Sequence, residues 1–480
     1  MSTPAQVMPI EAGLSDVQRV FRAQQALAPS LRATTAKERA TKIRKLKDAV
    51  LAHAEEFYLA AAADYGKPTA EVDLAELMPI VAEANHTSAS LKKWMKPRRV
   101  PVIRSMLGTN SFIKSEPRGV CLIIAPWNYP VNLSFVPLIS AIAAGNTAMV
   151  KPSEVAPHLS AMIAKVIRET FDEREVAVFE GDAKVASALL DLPFDHIFFT
   201  GSPQLGKIVM AAAAKNLTSV TLELGGKSPT IVDKSADLKM AARSVLWAKY
   251  TNAGQTCIAP DYVFVHNDVK DAFLNECKTG VEEVYGGTTE RQLATPDYCR
   301  IVNQRHYARV SGLLEDAIKR GAEAVTGGGT RTEDRFIAPT ILKNVPKDAA
   351  VMQEEIFGPL LPVFGYSDLD QALGEINRGT KPLALYVYSK DKKVTEHVLT
   401  NTTAGGTCIN GAVVHFLQHH LPFGGVNTSG MGAYHGVHGF RAFSHERAVV
   451  DVKIASIRMF YPPYTDFVKR MIKLAMKWFI

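Results

Sequence analysis

The chain has 480 residues, too many for one ordinary core, so two or three structural units are expected, each burying its own apolar interior. With 47% hydrophobic and 21% charged side chains, no internal repeat and no low-complexity tract, the composition excludes disorder and repeat arrays. The 55 basic residues against 48 acidic ones leave a net charge of +7, too modest to call for nucleic acid.

Five cysteines, Cys121, Cys257, Cys277, Cys299 and Cys408, are scattered without metal-ligand spacing. A reducing compartment and no metal are therefore expected. The opening MSTPAQVMPIEAGLSD lacks the basic head and apolar run of a secretory signal, so a cytoplasmic protein is expected.

In chain order, Thr35 with Glu38 forms a capping box, and Ile43, Leu46, Val50, Ala54, Phe57 and Ala61 follow at helical spacing as far as Gly66 and Pro68. One long amphipathic helix opening the first unit is predicted. Residues 119–150 carry no charge, which matches a membrane span by length alone. Pro126, Pro130, Pro137, Gly145 and three asparagines would interrupt such a span, so a buried strand, a loop and a short helix are predicted instead.

The runs VCLII, TAMV, VAVFE, HIFFT and VTLEL alternate with helical stretches at 158–170 and 204–214. Strands apolar on both faces, alternating with helices, indicate a parallel sheet covered on both sides, a doubly wound α/β unit. After Pro229 the alternation resumes with a helix near 237–250, strand YVFVH, helices at 268–280 and 304–320, and strands around 336, 361 and 383. A second α/β unit is predicted.

Past Tyr461, Pro462 and Pro463, the residues Phe467, Met471, Leu474 and Trp478 share one helical face, and Lys469, Lys473 and Lys477 form a basic stripe. Such a basic amphipathic helix either docks on the protein's own surface or meets an anionic membrane as a peripheral contact through residues 465–480.

Within this frame Cys257 stands in a polar loop, Asn252 to Pro260, bracketed by Gly254 and Pro260. Such a loop can expose a thiol, and a nucleophilic thiolate needs a nearby base or positive dipole. Glu223 ends a buried strand ahead of two glycines, where strands of a parallel sheet open onto a ligand crevice, and is the candidate base. Asn128, between Pro126 and Pro130, could aim an amide N–H at a carbonyl oxygen that gains charge. Read alone it is equally a turn residue.

The segment Phe199 to Gly206 follows a strand and opens a helix, a turn that brings backbone close to a phosphate. Its spacing is GxxxxG, not the GxGxxG of a standard dinucleotide fingerprint. Lys151 and Glu154 follow another strand, where a ribose could be held or where the strand end is merely solvated.

The segments WNYP, KPSE, FTGSPQLG, LELGGK, GQTC, EEIFGP and LPFGGVNTSGMG occur in the order and approximate spacing of the aldehyde dehydrogenase superfamily, and about 110–445 resembles it strongly. GQTCIAPDY and FGGVNTSGMGAYHG resemble the class 3 branch, which includes fatty and aromatic aldehyde dehydrogenases. The resemblance implies two doubly wound parallel-sheet domains: a cofactor domain at 1–97 and 119–222, and a catalytic domain at 223–409. It further implies a bridging, oligomerising arm at 98–118 and 440–454, a tail at 455–480, and a homodimer.

It also implies that Cys257 is the nucleophile, that Glu223 is the general base, and that Asn128 with the Cys257 backbone N–H forms the oxyanion hole. For NAD, with NADP possible, it implies Trp127, Lys151, Glu154, Gly201, Ser202, Gly206, Glu355 and Phe357; Glu354 and Glu355 read otherwise as an exposed turn. Tyr129, Trp247, Thr256, Phe423 and His435 are implied along a substrate tunnel, although His435 stands with His438 in an exposed-looking, glycine-rich stretch. The implied reaction oxidises a hydrophobic aldehyde, long-chain aliphatic first and aromatic second, through a thioester on Cys257. The alternatives are a CoA-acylating relative, which generally lacks the glutamate base, a cysteine hydrolase, and a binding protein without chemistry.

Overall fold

The computed structural model describes residues 10–103, 106–454, 458 and 460–479. The calls that fell on residues 1–9, 104–105, 455–457, 459 and 480 lie outside these. The capping box is present: the Thr35 hydroxyl accepts from the Glu38 N–H, and the Thr35 N–H donates to the Glu38 carboxylate at 2.6 Å.

The single long helix expected from 35 to 66 is two helices, Ala36–Ala52 and Ala54–Tyr65, broken at His53. The His53 ring bonds Glu56 at 2.6 Å and Glu169 at 2.8 Å while its backbone leaves helical geometry. Nor does this segment open the unit, because the helix Ile10–Leu31 precedes it. That helix lays Val17, Val20 and Phe21 against the first sheet.

The uncharged stretch folds as a strand (Val120–Ile124), a loop, a helix buried along its whole length (Pro130–Ala144) and a strand (Thr147–Lys151). Those strands join Val176–Val178, His196–Gly201 and Ser219–Leu224 in a parallel sheet, with the short Gly430–Met431 strand antiparallel on Ser219–Leu224. Strand 120–124 lies between 147–151 and 196–201, so the chain reverses its direction of build beside it. Loops leaving the carboxyl ends of strands at such a switch point open a crevice for ligands. The loops that leave here carry Trp127 and Asn128 on one side and Ser202 on the other.

A seven-stranded sheet forms the second layer, in the order Glu323–Thr326, Thr340–Lys343, Leu360–Tyr366, Tyr262–His266, Pro229–Val232, Ala384–Tyr388 and Gly406–Ile409. All neighbours are parallel except the first pair. Glu223 pairs with Thr200 inside the first sheet and the second sheet begins at Pro229, as the strand runs predicted. One expectation is corrected here. The strand near 336 is a two-residue ladder with Thr330–Arg331, outside the large sheet. Pro339, without an N–H to offer a ladder, separates it from the strand that does join.

A three-stranded antiparallel sheet of Arg98–Arg99, Thr109–Pro117 and Ser444–Val452 makes a separate arm. Among the described residues no helix is long and apolar enough to cross a membrane. The last helix, Asp466–Phe479, forms as expected. Phe467 remains 67% exposed and Leu474 50%, while Val468 is buried; the Trp478 side chain lies outside the described ones.

Candidate active site

Cys257 reaches the site from the amino end of a strand in the second sheet, and Glu223 from the carboxyl end of a strand in the first. Two cavities meet between them. A cleft of about 910 Å³ is lined by Trp127, Asn128, Gly201, Ser202, Gly206, Glu355 and Phe357 among others. A narrower, apolar cavity of about 160 Å³ is lined by Tyr129, Trp247, Thr256, Phe423 and His435, together with Leu74, Met78, Leu133, Phe416 and Leu417. Cys257, Glu223 and Thr200 line both. Lys151 and Glu154 are not on the cleft wall; they hold each other at 2.5 Å at the end of a neighbouring strand.

The cysteine loop owes its shape to three consecutive left-handed residues, Asn252 (φ 55°), Ala253 (φ 50°) and Gly254 (φ 74°). A side chain at Gly254 would put a carbon 2.3 Å from the Gly358 carbonyl oxygen, so only glycine permits that approach. Gln255 is fully buried. Its amide donates to the Asn252 and Arg300 carbonyls and accepts from the Val302 N–H.

Two amides stitch this loop to the one bearing Asn128. Asn128 Nδ2 donates to the Gln255 carbonyl at 3.0 Å, and Asn252 Nδ2 donates to the Asn128 carbonyl at 2.9 Å. An asparagine amide has two N–H donors, so one anchors the side chain and one is left for a ligand. Beneath the loop lies a fully buried ion pair, Lys67 with Glu76 at 3.1 Å. Lys67 also donates to the Asn128 carbonyl, while Glu76 accepts the first N–H groups of helix Pro130–Ala144.

The electrostatics are those of a dry site. Neither oxygen of the buried Glu223 carboxyl has a hydrogen-bond partner in the protein, and burial pushes its pKa well above the usual carboxylate range. Burial, then the nearby Glu355 and Glu223 carboxyls, pushes the Cys257 thiol up to about 12. Glu355 is raised to about 8, first by burial and then by Asp261. It lies across Gly225, where a side-chain carbon would meet its carboxyl at 2.1 Å.

The cleft fits a dinucleotide. Its floor holds the start of helix Pro203–Ala214, whose N-terminal N–H groups suit a phosphate, capped by Ser202. Lys207 and Arg309 supply positive charge on the wall. Trp127 and Phe357, with ring centroids 5.4 Å apart, form an aromatic corner that a flat heterocycle could meet.

The aldehyde dehydrogenase family model matches residues 5–449. The chain belongs to the aldehyde dehydrogenase family. It is 43% identical over 441 residues to the 4,4'-diaponeurosporen-aldehyde dehydrogenase of Staphylococcus aureus, covering 92% of this chain and 93% of that one. It is also 43% identical over 424 residues to the human aldehyde dehydrogenase family 3 member B1, covering 87% and 88%. A substrate-bound Staphylococcus aureus aldehyde dehydrogenase structure superposes with a TM-score of 0.90 at 40% identity, over 96% of this chain and 99% of that one. An NAD+ complex of the Bacillus cereus enzyme gives 0.82 at 28%, over 91% and 89%. An Escherichia coli NADP-dependent enzyme gives 0.82 at 28%, over 91% and 90%. This dehydrogenase is therefore an NAD(P)-dependent oxidoreductase with class 3 relatives.

His435, expected in an exposed stretch, is only 4% exposed, with a left-handed backbone (φ 72°). Several contributors escaped the sequence. Thr200 leaves a buried hydroxyl unpartnered where the cavities join. His306 packs on Trp127 at 4.8 Å. Arg309 donates to the Glu355 and Ile356 carbonyls, Lys227 to those of Val351 and Glu354, and Asp261 accepts the Ile356 N–H, so these three fix the loop bearing Glu355 and Phe357. Lys227 stands in LELGGK, Thr200 in FTGSPQLG and Asp261 in GQTCIAPDY, but spacing alone gave none of them a role; His306 and Arg309 carry no signal.

Because Lys67 and Glu76 are both fully buried, removing the cation strands a charge. Lys67→Met should lower stability by about 3–5 kcal/mol in urea unfolding and slow turnover by loosening Asn128. A loss below about 1 kcal/mol, the range of an exposed ion pair, would show that the pair does not brace the loop.

Proposed function

We propose that this dehydrogenase oxidises a long-chain aliphatic aldehyde to the carboxylic acid through a thioester on Cys257. The observation that carries the reading is the junction: one thiol and one unpartnered carboxyl stand where a polar cleft meets an apolar cavity. A nicotinamide dinucleotide held in the cleft by Trp127, Gly201, Ser202, Gly206, Glu355 and Phe357 supplies the two-electron acceptor.

Glu223 takes the Cys257 thiol proton and passes it to water in the cleft, the thiolate sulfur attacks the aldehyde carbon, and the oxyanion is held by the second Asn128 N–H and the Cys257 backbone N–H. Once oxidation has left an acyl group on sulfur, Glu223 takes a proton from water as the water adds to the thioester. Cys257 then departs as the thiolate and the acid is released. Asn128 does this without reorganising, because its other N–H is fixed on Gln255. The presence of Glu223 favours hydrolysis over transfer to CoA.

The aldehyde's apolar part lies along Tyr129, Phe423 and Trp247. The mouth is apolar and open to water at Leu74, Met78 and Trp247, which suits a slender chain emerging from a narrow bore better than a compact ring. Burying each methylene contributes about 0.8 kcal/mol, so affinity should rise with chain length. NAD, with NADP as the alternative, is the proposed cofactor. The tail helix, with Phe467 and Leu474 uncovered and its lysine stripe alongside, suits peripheral contact with an anionic membrane.

Cys257→Ala should abolish aldehyde-dependent cofactor reduction while cofactor binding persists, and kcat/KM of the parent should rise from hexanal to dodecanal to hexadecanal. A preference for coniferaldehyde or benzaldehyde would move the substrate to the aromatic class. Glu223 must be ionised to act as a base, and its pKa is raised, so deacylation should accelerate as pH increases from neutrality through that raised value. Glu223→Gln should slow deacylation by about 10²–10⁴-fold and flatten this limb; an unchanged profile would remove Glu223 from the mechanism. Deleting residues 466–480 should weaken sedimentation with phosphatidylserine vesicles while hexanal turnover is kept. Equal sedimentation would assign the helix to packing alone.

A further inference from the structure

Beside the apolar cavity, three side chains from distant parts of the chain converge. Glu83 comes from helix Met78–Trp94, His419 from the segment after Leu417, and His435 from the turn before helix Gly436–Ala442. One ligand atom from each lies within 4.8 Å of the others. His419 Nδ1 is 3.1 Å from Glu83 Oε2, and His435 Nδ1 is 3.9 Å from that same oxygen. The ligand atoms of a tetrahedral zinc site, at bond lengths of about 2.0–2.1 Å, stand roughly 3.3 Å apart, so the pair of Glu83 and His419 is already at that spacing, the wider pairs would close by up to about 1.5 Å, and a water would be the fourth ligand.

We propose that Glu83, His419 and His435 form a divalent transition-metal site, with zinc as the fitting ion. Departing from the absence of metal expected on cysteine spacing, it uses a nitrogen and oxygen donor set. A second observation points to a ligand independently: His435 Nδ1 is buried without a hydrogen-bond partner. An idle buried acceptor or donor costs about 1–3 kcal/mol, and a cation beside it removes that cost.

The supports expected around a metal ligand are present. Glu83 Oε1 accepts the Gly436 N–H at 2.8 Å and the Thr87 hydroxyl at 3.1 Å, which turns Oε2 toward the two rings. His86 stacks on His419 at 5.4 Å. The left-handed backbone of His435 holds its ring in place, a strain of the kind found at ligand clamps.

His435 and Phe423 also line the apolar cavity, with ring centroids 5.5 Å apart. A bound ion would therefore tie one wall of that cavity to the helix bearing Glu83. The ion would brace that wall and take no part in the redox step.

The test uses untagged full-length protein carrying Cys257→Ala, so that the site thiol cannot bind metal, freed of metal with a chelator and titrated with cobalt(II). One equivalent should give the visible ligand-field bands of a nitrogen- and oxygen-ligated ion, displaced by one equivalent of zinc. His419→Gln should lose the bands, whereas His420→Gln, one residue outside the triad, should keep them. Circular dichroism and cofactor binding verify folding of each variant. No stoichiometric uptake by the parent, or uptake by His419→Gln equal to the parent's, would overturn the proposal and leave Glu83 and His419 as an ordinary ion pair.

Discussion

The left-handed turn at Asn252, Ala253 and Gly254 is the constraint on which the rest of the site depends. Held left-handed, each non-glycine residue there costs about 1–3 kcal/mol, so the surroundings must enforce the conformation. They do so through the Asn252 amide, which bridges the Asn128 and Gln255 carbonyls, and through Glu71, whose carboxylate accepts the Asn252 N–H at 2.8 Å. Three loops are fixed by this one turn. It presents Cys257, it receives the Asn128 side chain, and at Gly254 it touches the backbone just beyond Phe357. Loops from different strands would otherwise drift independently, and displacement by an ångström is enough to weaken an oriented donor.

Burial at this junction works against ionisation and in favour of chemistry. A dry carboxyl at Glu223 and a half-buried thiol at Cys257 are both poor at holding charge alone, and their proximity makes joint ionisation harder still. Fixed donors such as the Asn128 amide act more strongly in that low-dielectric space than they would in water. A buried carboxylate that does ionise is also a stronger base than an exposed one. Lys67, Arg309 and Lys227 spend their charge on backbone carbonyls and carboxylates around the loops, so none of them neutralises Glu223 directly.

Much of this was legible in the chain. Strand segments apolar on both faces announced the parallel sheets, and Gly201 to Gly206 announced a strand, a turn and a helix where those elements lie. The helix break at His53 was not legible, because the ring at the break bonds Glu169, 116 residues away. Glu223 illustrates a different limit: its residue type and neighbours marked it as a strand-end acid of the first sheet, but only the packed fold brings the apolar cavity to meet it there. His435 was misread for a related reason. Glycines on either side suggested exposure, whereas they allow tight packing, since a side chain at Gly436 would meet the His419 carbonyl at 2.2 Å. The buried network of Lys67, Glu76 and Asn128 left no trace in spacing, because its members meet only after helices and a loop from separate segments have packed.

The two cavities divide the chemistry by polarity. The bore along Phe423, Leu133 and Phe416 offers water almost nothing to bind, so an alkyl chain gains there by excluding it. The cleft along Ser202, Glu355 and Arg309 is polar enough to hold phosphates, hydroxyls and water. In the proposed reaction Glu223, lining both, stands where water arriving from the polar side would meet an acyl group extending into the apolar side. A carboxyl deeper in the bore would have no water to activate, and one further into the cleft would be solvated and less basic. Thr200, also at the junction, has a hydroxyl free of protein partners and is the neighbouring group suited to orient that water. On the proposed mechanism, the position of the junction between two sheets, more than the identity of any single side chain, is what would let one carboxyl serve a reaction that begins in the absence of water and ends by consuming it.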